Sequence, residues 1–91
     1  MHTEQERARL AVEDLRHALF MLEGAEPDSR QLLATAFWLG SAAGKLFGAT
    51  SPARKSAFNT AHKADNALRD EELDHCRSLI THAIRTLETS P

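Results

Sequence analysis

The chain lacks most of the features that mark secreted or membrane-spanning proteins. Its 91 residues include a single cysteine, Cys76, so no intramolecular disulfide can form, which favours a reducing compartment for so small a domain. The least polar run, from Leu32 to Gly44, has 13 residues and is well short of the roughly 20 that span a bilayer. The first residues are polar and carry two acids, unlike a signal peptide. We therefore expect a soluble, cytoplasmic protein with no membrane partner.

Short motifs of the common enzyme classes are also missing. The sequence has no phosphate-binding glycine loop, no Gly-x-Ser-x-Gly turn and no His-Glu-x-x-His zinc motif. Glu71, His75 and His82 share one side of a predicted helix, but they lie away from its apolar stripe, where water competes for a metal. Cys76 lies on that stripe and is expected to be a small buried hydrophobe. We predict no catalytic residue, no metal site and no cofactor.

Helical periodicity is what the sequence does contain. With 42% hydrophobic and 26% charged residues, the chain has the composition of one folded domain over residues 1–91. Apolar residues recur at three- and four-residue spacing in stretches near 4–23, 28–47 and 52–68, and again after residue 70. This pattern predicts an all-α fold, a small up-and-down bundle of four helices. The sequence allows helices three and four to be continuous.

Capping residues define where these helices begin. Residues 3–6 and 28–31 fit capping boxes, and Ser51–Pro52 is an N-cap followed by proline at the first helical position. Asp70 is the predicted cap of helix four. Gly24 is the expected C-terminal cap of helix one.

Helix two is the least polar of the four and is predicted to be central in the bundle. Its small residues Ala36, Gly40, Gly44 and Gly48 are each four residues apart. A glycine inside a helix is less favourable than alanine by about 1 kcal/mol, so we expect a compensating gain. The predicted gain is a groove in which the alanine face of helix three packs closely. The alternative is that Gly44 or Gly48 ends the helix early.

Two segments resemble known families in part. Phe37 to Ala43 resembles the signature of histidine-phosphotransfer domains, which are four-helix bundles of similar size. Phe37 occupies the place of the phosphoacceptor histidine, and the lysine of the pattern is missing, so phosphotransfer is not implied.

Gly44 to Lys55 resembles the turn of a helix-turn-helix motif, with helix three as the reading helix. The resemblance implies DNA binding by side chains suited to phosphates and base edges: Arg54, Lys55, Asn59 and Lys63. Residues 45–69 hold five basic residues and one acid, which favours this alternative. Arg54 departs from the motif because an aliphatic residue is usual there, and the pI of about 6.2 is low for a DNA-binding domain.

The preferred hypothesis is binding to another protein. Trp38, the one tryptophan, is flanked on helix two by Ala34, Ala42 and Lys45, a composition typical of an interface anchor. The alternative is that Trp38 packs against a neighbouring helix. On helix one, Leu10, His17 and Met21 lie away from the main apolar stripe and could form one edge of a homodimer. We predict a small, non-enzymatic regulatory or adaptor protein, with DNA binding as the alternative.

Overall fold

Four α-helices form where the apolar residues recur at helical spacing. The computed structural model describes residues 3–24 and 26–89, and every regular element in these ranges is an α-helix. The helices are α1 (Glu4–Met21), α2 (Ser29–Leu46), α3 (Pro52–Arg69) and α4 (Leu73–Glu88). The predicted all-α fold is therefore confirmed, with helix ends within two residues of those expected.

The first three helices begin at the predicted caps. The Thr3 hydroxyl accepts a hydrogen bond from the Glu6 amide at 3.1 Å. Asp28 and Gln31 form the complete capping box, each side chain accepting from the other residue's amide at 2.8 Å. The Ser51 hydroxyl accepts from the Arg54 amide ahead of α3. These bonds satisfy amides that have no partner within the helix, so local sequence fixes the three starting points.

The connection between α3 and α4 differs from the prediction. Asp70 follows the last residue of α3 as its C-cap and does not cap α4, which begins at Leu73 after Glu72. Glu71 adopts a φ of 59°, a left-handed conformation that interrupts the helix. The Glu72 amide then donates to the Ala67 carbonyl at 2.8 Å, which closes the end of α3. Helices three and four are therefore separate.

The helices pack as an up-and-down bundle around one core. α1 contacts mainly α2 and α4, while α3 contacts mainly α4 and α2. Gln31 Nε2 donates to the Met21 carbonyl, and Arg7 donates to the Gly44 carbonyl near the other end of α2, so α1 and α2 are antiparallel. The largest fully buried side chains are Leu15, Leu22, Leu39, Leu46, Ile80, Thr35 and Cys76.

The predicted central position of α2 is wrong. In a ring of four helices each helix has two main neighbours and one side toward solvent, so α2 buries one face and exposes the other. Gly40 and Gly44 lie on the exposed side. A Cβ added at either glycine would meet no atom within 4 Å other than those of the adjoining residues and the backbone of α2. The glycine row is thus not an intramolecular packing groove. α2 runs through Gly44 and ends at Leu46, and Gly48 follows with a φ of 78°.

The open space at Gly40 leads to a stability prediction. Gly40→Ala should raise the free energy of unfolding by up to about 1 kcal/mol, because alanine restricts the unfolded chain and meets nothing in the folded one. Urea denaturation at low protein concentration measures the change. Gly48→Ala is the control and should destabilise, since the φ of 78° at Gly48 strains an alanine. A less stable Gly40→Ala variant would contradict the exposed position of Gly40.

Cys76 is completely buried on the core face of α4, as predicted. Burial, the largest cause, and the nearby Asp65 carboxylate together raise the pKa of its thiol from 9.0 to about 11, against a smaller lowering by Arg77. Because the folded pKa is the higher one, the neutral thiol supports the fold below about pH 9. That contribution is lost as the pH rises from 9.0 toward about 11.

The pH dependence of stability tests this assignment. Wild type should lose more unfolding free energy between pH 8 and 11 than Cys76→Ala, which has no thiol to ionise. Urea titrations at a series of pH values provide the measurement. If the free energy of unfolding of the two proteins changes with pH in parallel, the thiol is not desolvated in the fold.

Candidate protein-binding face

The solvent side of α2 forms a continuous apolar surface. It comprises four residues of α2 at three- and four-residue spacing together with Phe47 at the C-cap of the helix, here called the outer α2 face: Leu33, Phe37, Gly40, Gly44 and Phe47. Leu33, Phe37 and Phe47 are 72%, 66% and 69% exposed. The opposite, buried side of the helix consists of Thr35, Leu39, Ala42 and Leu46. α2 therefore has one apolar face that forms the core and a second that faces solvent.

No charged side chain of α2 interrupts the outer α2 face, and the Arg7 guanidinium of α1 lies beside its C-terminal end, where it donates to the Gly44 and Phe47 carbonyls at 3.2 and 3.4 Å. The sequence has no ionisable residue between Arg30 and Lys45. Among the residues that the structure describes, the only other strongly exposed large hydrophobic residue is Phe20, which lies on α1. Contiguous apolar area on a soluble protein usually marks a binding surface, whereas a single exposed side chain does not. The clustering of three such residues on α2 is what identifies this face as a candidate site.

Aromatic rings form the edge of the face toward α1. The imidazole of His17 stacks on Trp38 with ring centroids 4.5 Å apart and an angle of 18° between the planes. The Phe37 and Trp38 rings form an edge-to-face pair with their centroids 5.2 Å apart. The His17 ring is itself held by a 2.8 Å hydrogen bond between Nδ1 and the Glu13 carbonyl. These contacts fix Trp38, half-buried, beside the exposed Phe37 ring.

A cluster of polar side chains also links α1 and α2 beside Trp38. Lys45 Nζ donates to Asp14 Oδ2 at 2.5 Å and to Ser41 Oγ at 3.0 Å. The Ser41 hydroxyl donates to the same Asp14 oxygen at 2.7 Å. The Asp14 side chain is 7% exposed, so the carboxylate is well shielded from water and needs these donors. The cluster holds the register of α2 on α1.

Phe47 forms the edge of the face toward α3. The centroid of its ring lies 5.9 Å from that of Phe58. The Phe58 and His62 rings form an edge-to-face pair with their centroids 4.6 Å apart. A cavity of about 300 Å³ opens between these helices. Its walls are mostly apolar, and its polar lining residues are Lys55 and Asn59. The outer α2 face therefore continues into a shallow hollow beside α3.

The structure places the predicted protein-binding residues unevenly. His17 and Trp38 are brought into direct contact, and Lys45 lies on the same side of α2, paired with Asp14. Leu10, Met21 and Ala34 are half-buried. Ala42 is fully buried in the core, so its assignment to the binding surface is wrong. Trp38 is half-buried and packs against the core at the interface of α1 and α2, which is the alternative that places it against a neighbouring helix.

The four residues predicted for DNA contact do not form one surface. Arg54 is 16% exposed, and its guanidinium lies 3.6 Å from the Glu4 carboxylate. Glu4 also accepts from the Thr50 amide, the main reason that its pKa lies below the usual value. Lys55, Asn59 and Lys63 are exposed on α3. Arg54 is thus turned toward α1, away from these three.

Leu33, Phe37 and Phe47 are the residues of the candidate face that sequence reasoning missed. Their signal is present in the sequence, because positions 33, 37, 40, 44 and 47 form a second apolar stripe on α2. In a four-helix bundle one stripe suffices for the core. A second stripe then has to face solvent or a partner.

Two further findings concern other kinds of site. Within residues 3–24 and 26–89, no group of three or more His, Cys, Asp or Glu side chains is placed to hold a metal ion. None of the helices in the same ranges is long and apolar enough to cross a membrane.

A comparison with known proteins finds no relative. No protein-family model, no curated protein and no solved structure matches this chain.

Proposed function

We propose that this chain is a small cytoplasmic regulatory or adaptor protein that acts by binding another protein through the outer α2 face, without catalysis. The observation that carries the proposal is the exposure of Leu33 and Phe37 on α2 and of Phe47 at its C-cap. Burying each of these side chains in a complex is worth about 1.5–3 kcal/mol. Three of them together supply a useful driving force for association, even after the entropic cost of binding.

The surroundings of the face support a preorganised site. Trp38 is held between His17 and Phe37, and the Asp14–Lys45 pair holds α2 on α1. A surface that is already rigid loses little side-chain freedom on binding, so more of the contact energy appears as affinity. Phe37 lies next to Trp38 and near the middle of the stripe, which is where the strongest interface contacts usually occur.

Affinity capture with matched variants tests the proposal. The bait proteins are wild type, Phe37→Ser and Phe20→Ser. Phe20 is 63% exposed on α1 and controls for the loss of an exposed phenylalanine elsewhere. Wild type and Phe20→Ser should retain the same protein, and Phe37→Ser should retain at least about tenfold less. Equal retention by all three would contradict binding through this face.

The same experiment distinguishes binding to a protein from binding to DNA. A Lys55→Ala/Lys63→Ala variant should capture the protein partner as well as wild type does. If DNA is the partner instead, nuclease treatment and this double substitution should both abolish capture, because lysine contacts to phosphates dominate such binding. Phe37→Ser would then have little effect.

A further inference from the structure

The outer α2 face has a feature that nothing within the chain explains. Gly40 and Gly44 lie inside α2, where glycine weakens a helix by about 1 kcal/mol relative to alanine. Apart from the adjoining residues and the backbone of α2 itself, no atom lies within 4 Å of a Cβ built at either position. Phe37 and Phe47 stand exposed beside this bare stretch of backbone. Exposed rings next to helix backbone that carries no side chain are suited to close packing against another helix.

The two ends of the face are equally far from Gly40, and the large Phe37 on one side of it corresponds to small residues on the other. Leu33 and Phe47 each lie seven residues from Gly40, about 10 Å along the helix axis. If a second α2 helix crosses antiparallel beside Gly40, Leu33 of one copy faces Phe47 of the other. Phe37, three residues before Gly40, then lies opposite Ala43 and next to Gly44 of the second copy, both of them small residues. The face is therefore complementary to itself, as an isologous interface requires.

The charge distribution suits this arrangement. A two-fold axis brings residues near it close to their own copies, so a charge at that place would meet a like charge. α2 has no ionisable residue between Arg30 and Lys45. The Lys45 ammonium is turned toward Asp14 and forms an ion pair with it at 2.5 Å. Two copies of the outer α2 face can meet without repulsion at their centre.

We propose that the partner of the outer α2 face is a second copy of this chain, bound through antiparallel α2 helices that cross beside Gly40. This inference rests on the proposed function, because it uses the same face. The three large side chains expose roughly 400 Å² per copy, below the area buried in standard stable interfaces. The dimer is consequently weak and forms reversibly as protein concentration rises.

Cysteine cross-linking tests the arrangement in the full chain. Wild type is the baseline, because its one cysteine, Cys76, is fully buried. Gly40→Cys adds a thiol at the proposed axis, where a Cβ meets no neighbour, and Ser78→Cys adds one to the exposed side of α4 as the control. Under mild oxidation Gly40→Cys should form disulfide-linked dimers at least about tenfold faster than Ser78→Cys. A mixture of Leu33→Cys and Phe47→Cys should give mixed dimers faster than either protein alone.

Sedimentation over a wide range of concentration supplies the second readout. Wild type should shift from monomer toward dimer, and Phe37→Ser should weaken that association at least about tenfold while Phe20→Ser leaves it unchanged. A monomer at every concentration, or equal cross-linking at Gly40 and Ser78, overturns the second-copy proposal. If a monomeric wild type still captures a different protein through Phe37, only this inference fails. If neither self-association nor capture depends on Phe37, the proposed function fails as well.

Discussion

Replacing Leu39 with alanine should lower the free energy of unfolding by about 2–5 kcal/mol, whereas replacing its near neighbour Phe37 should change it by less than about 1 kcal/mol. Leu39 is 1% exposed in the core, so alanine leaves a cavity that the bundle fills only in part. Phe37 is 66% exposed and loses mainly contact with Trp38. Urea denaturation at low protein concentration measures both changes.

The contrast between these two substitutions tests the division of α2 into two faces. Phe20→Ala is the control for an exposed phenylalanine on α1, and its effect should be as small as that of Phe37→Ala. If Phe37→Ala destabilises the monomer as strongly as Leu39→Ala, Phe37 belongs to the core. The outer α2 face would then not be available to a partner.

Removing the Asp14 carboxylate should produce the second large effect. Asp14→Ala is expected to destabilise the fold by about 1–3 kcal/mol, because the half-buried Lys45 ammonium and the Ser41 hydroxyl lose their shared acceptor. The lower end of the range applies if Lys45, whose side chain is 33% exposed, turns toward water. Thermal or urea unfolding measures the change.

A double-substitution cycle separates the interaction from the simple loss of a residue. Lys45→Met keeps the length of the side chain and removes its charge, so Asp14→Ala should cost less in that background. Arg16→Ala is the matched control for an exposed ion pair, the one with Glu88, and should change stability by less than about 1 kcal/mol. If Asp14→Ala lowers the free energy of unfolding equally in wild type and in the Lys45→Met background, the pair does not hold α2 on α1.

Local signals in the sequence predicted the helices well. The caps at Thr3, Asp28 and Ser51 act through bonds three residues away, so they could be recognised without any knowledge of the fold. The start of α4 was predicted at the wrong residue, because Asp70 is a preferred type of N-cap, whereas Glu72, which precedes α4, makes no side-chain capping bond. The left-handed conformation of Glu71 moves the start of α4 beyond Asp70, and a sequence does not show it.

Tertiary neighbours could not be predicted in the same way. The sequence shows that α2 is apolar on two sides, but not which side the other helices cover. The glycine row was assigned to an internal groove for that reason. The stacking of His17 on Trp38 likewise depends on the register between α1 and α2, which the Asp14–Lys45 pair helps to fix.

Hydroxyl-radical footprinting of the phenylalanines tests the central claim, that the outer α2 face is a surface for protein partners. Phe37, Phe47 and Phe20 are similarly exposed, so each should be oxidised readily in dilute purified protein. As the protein is concentrated, or placed in native lysate, oxidation of Phe37 and Phe47 should fall while that of Phe20 stays constant. If the three phenylalanines keep the same relative oxidation under every condition, no partner covers the outer α2 face and the account is wrong.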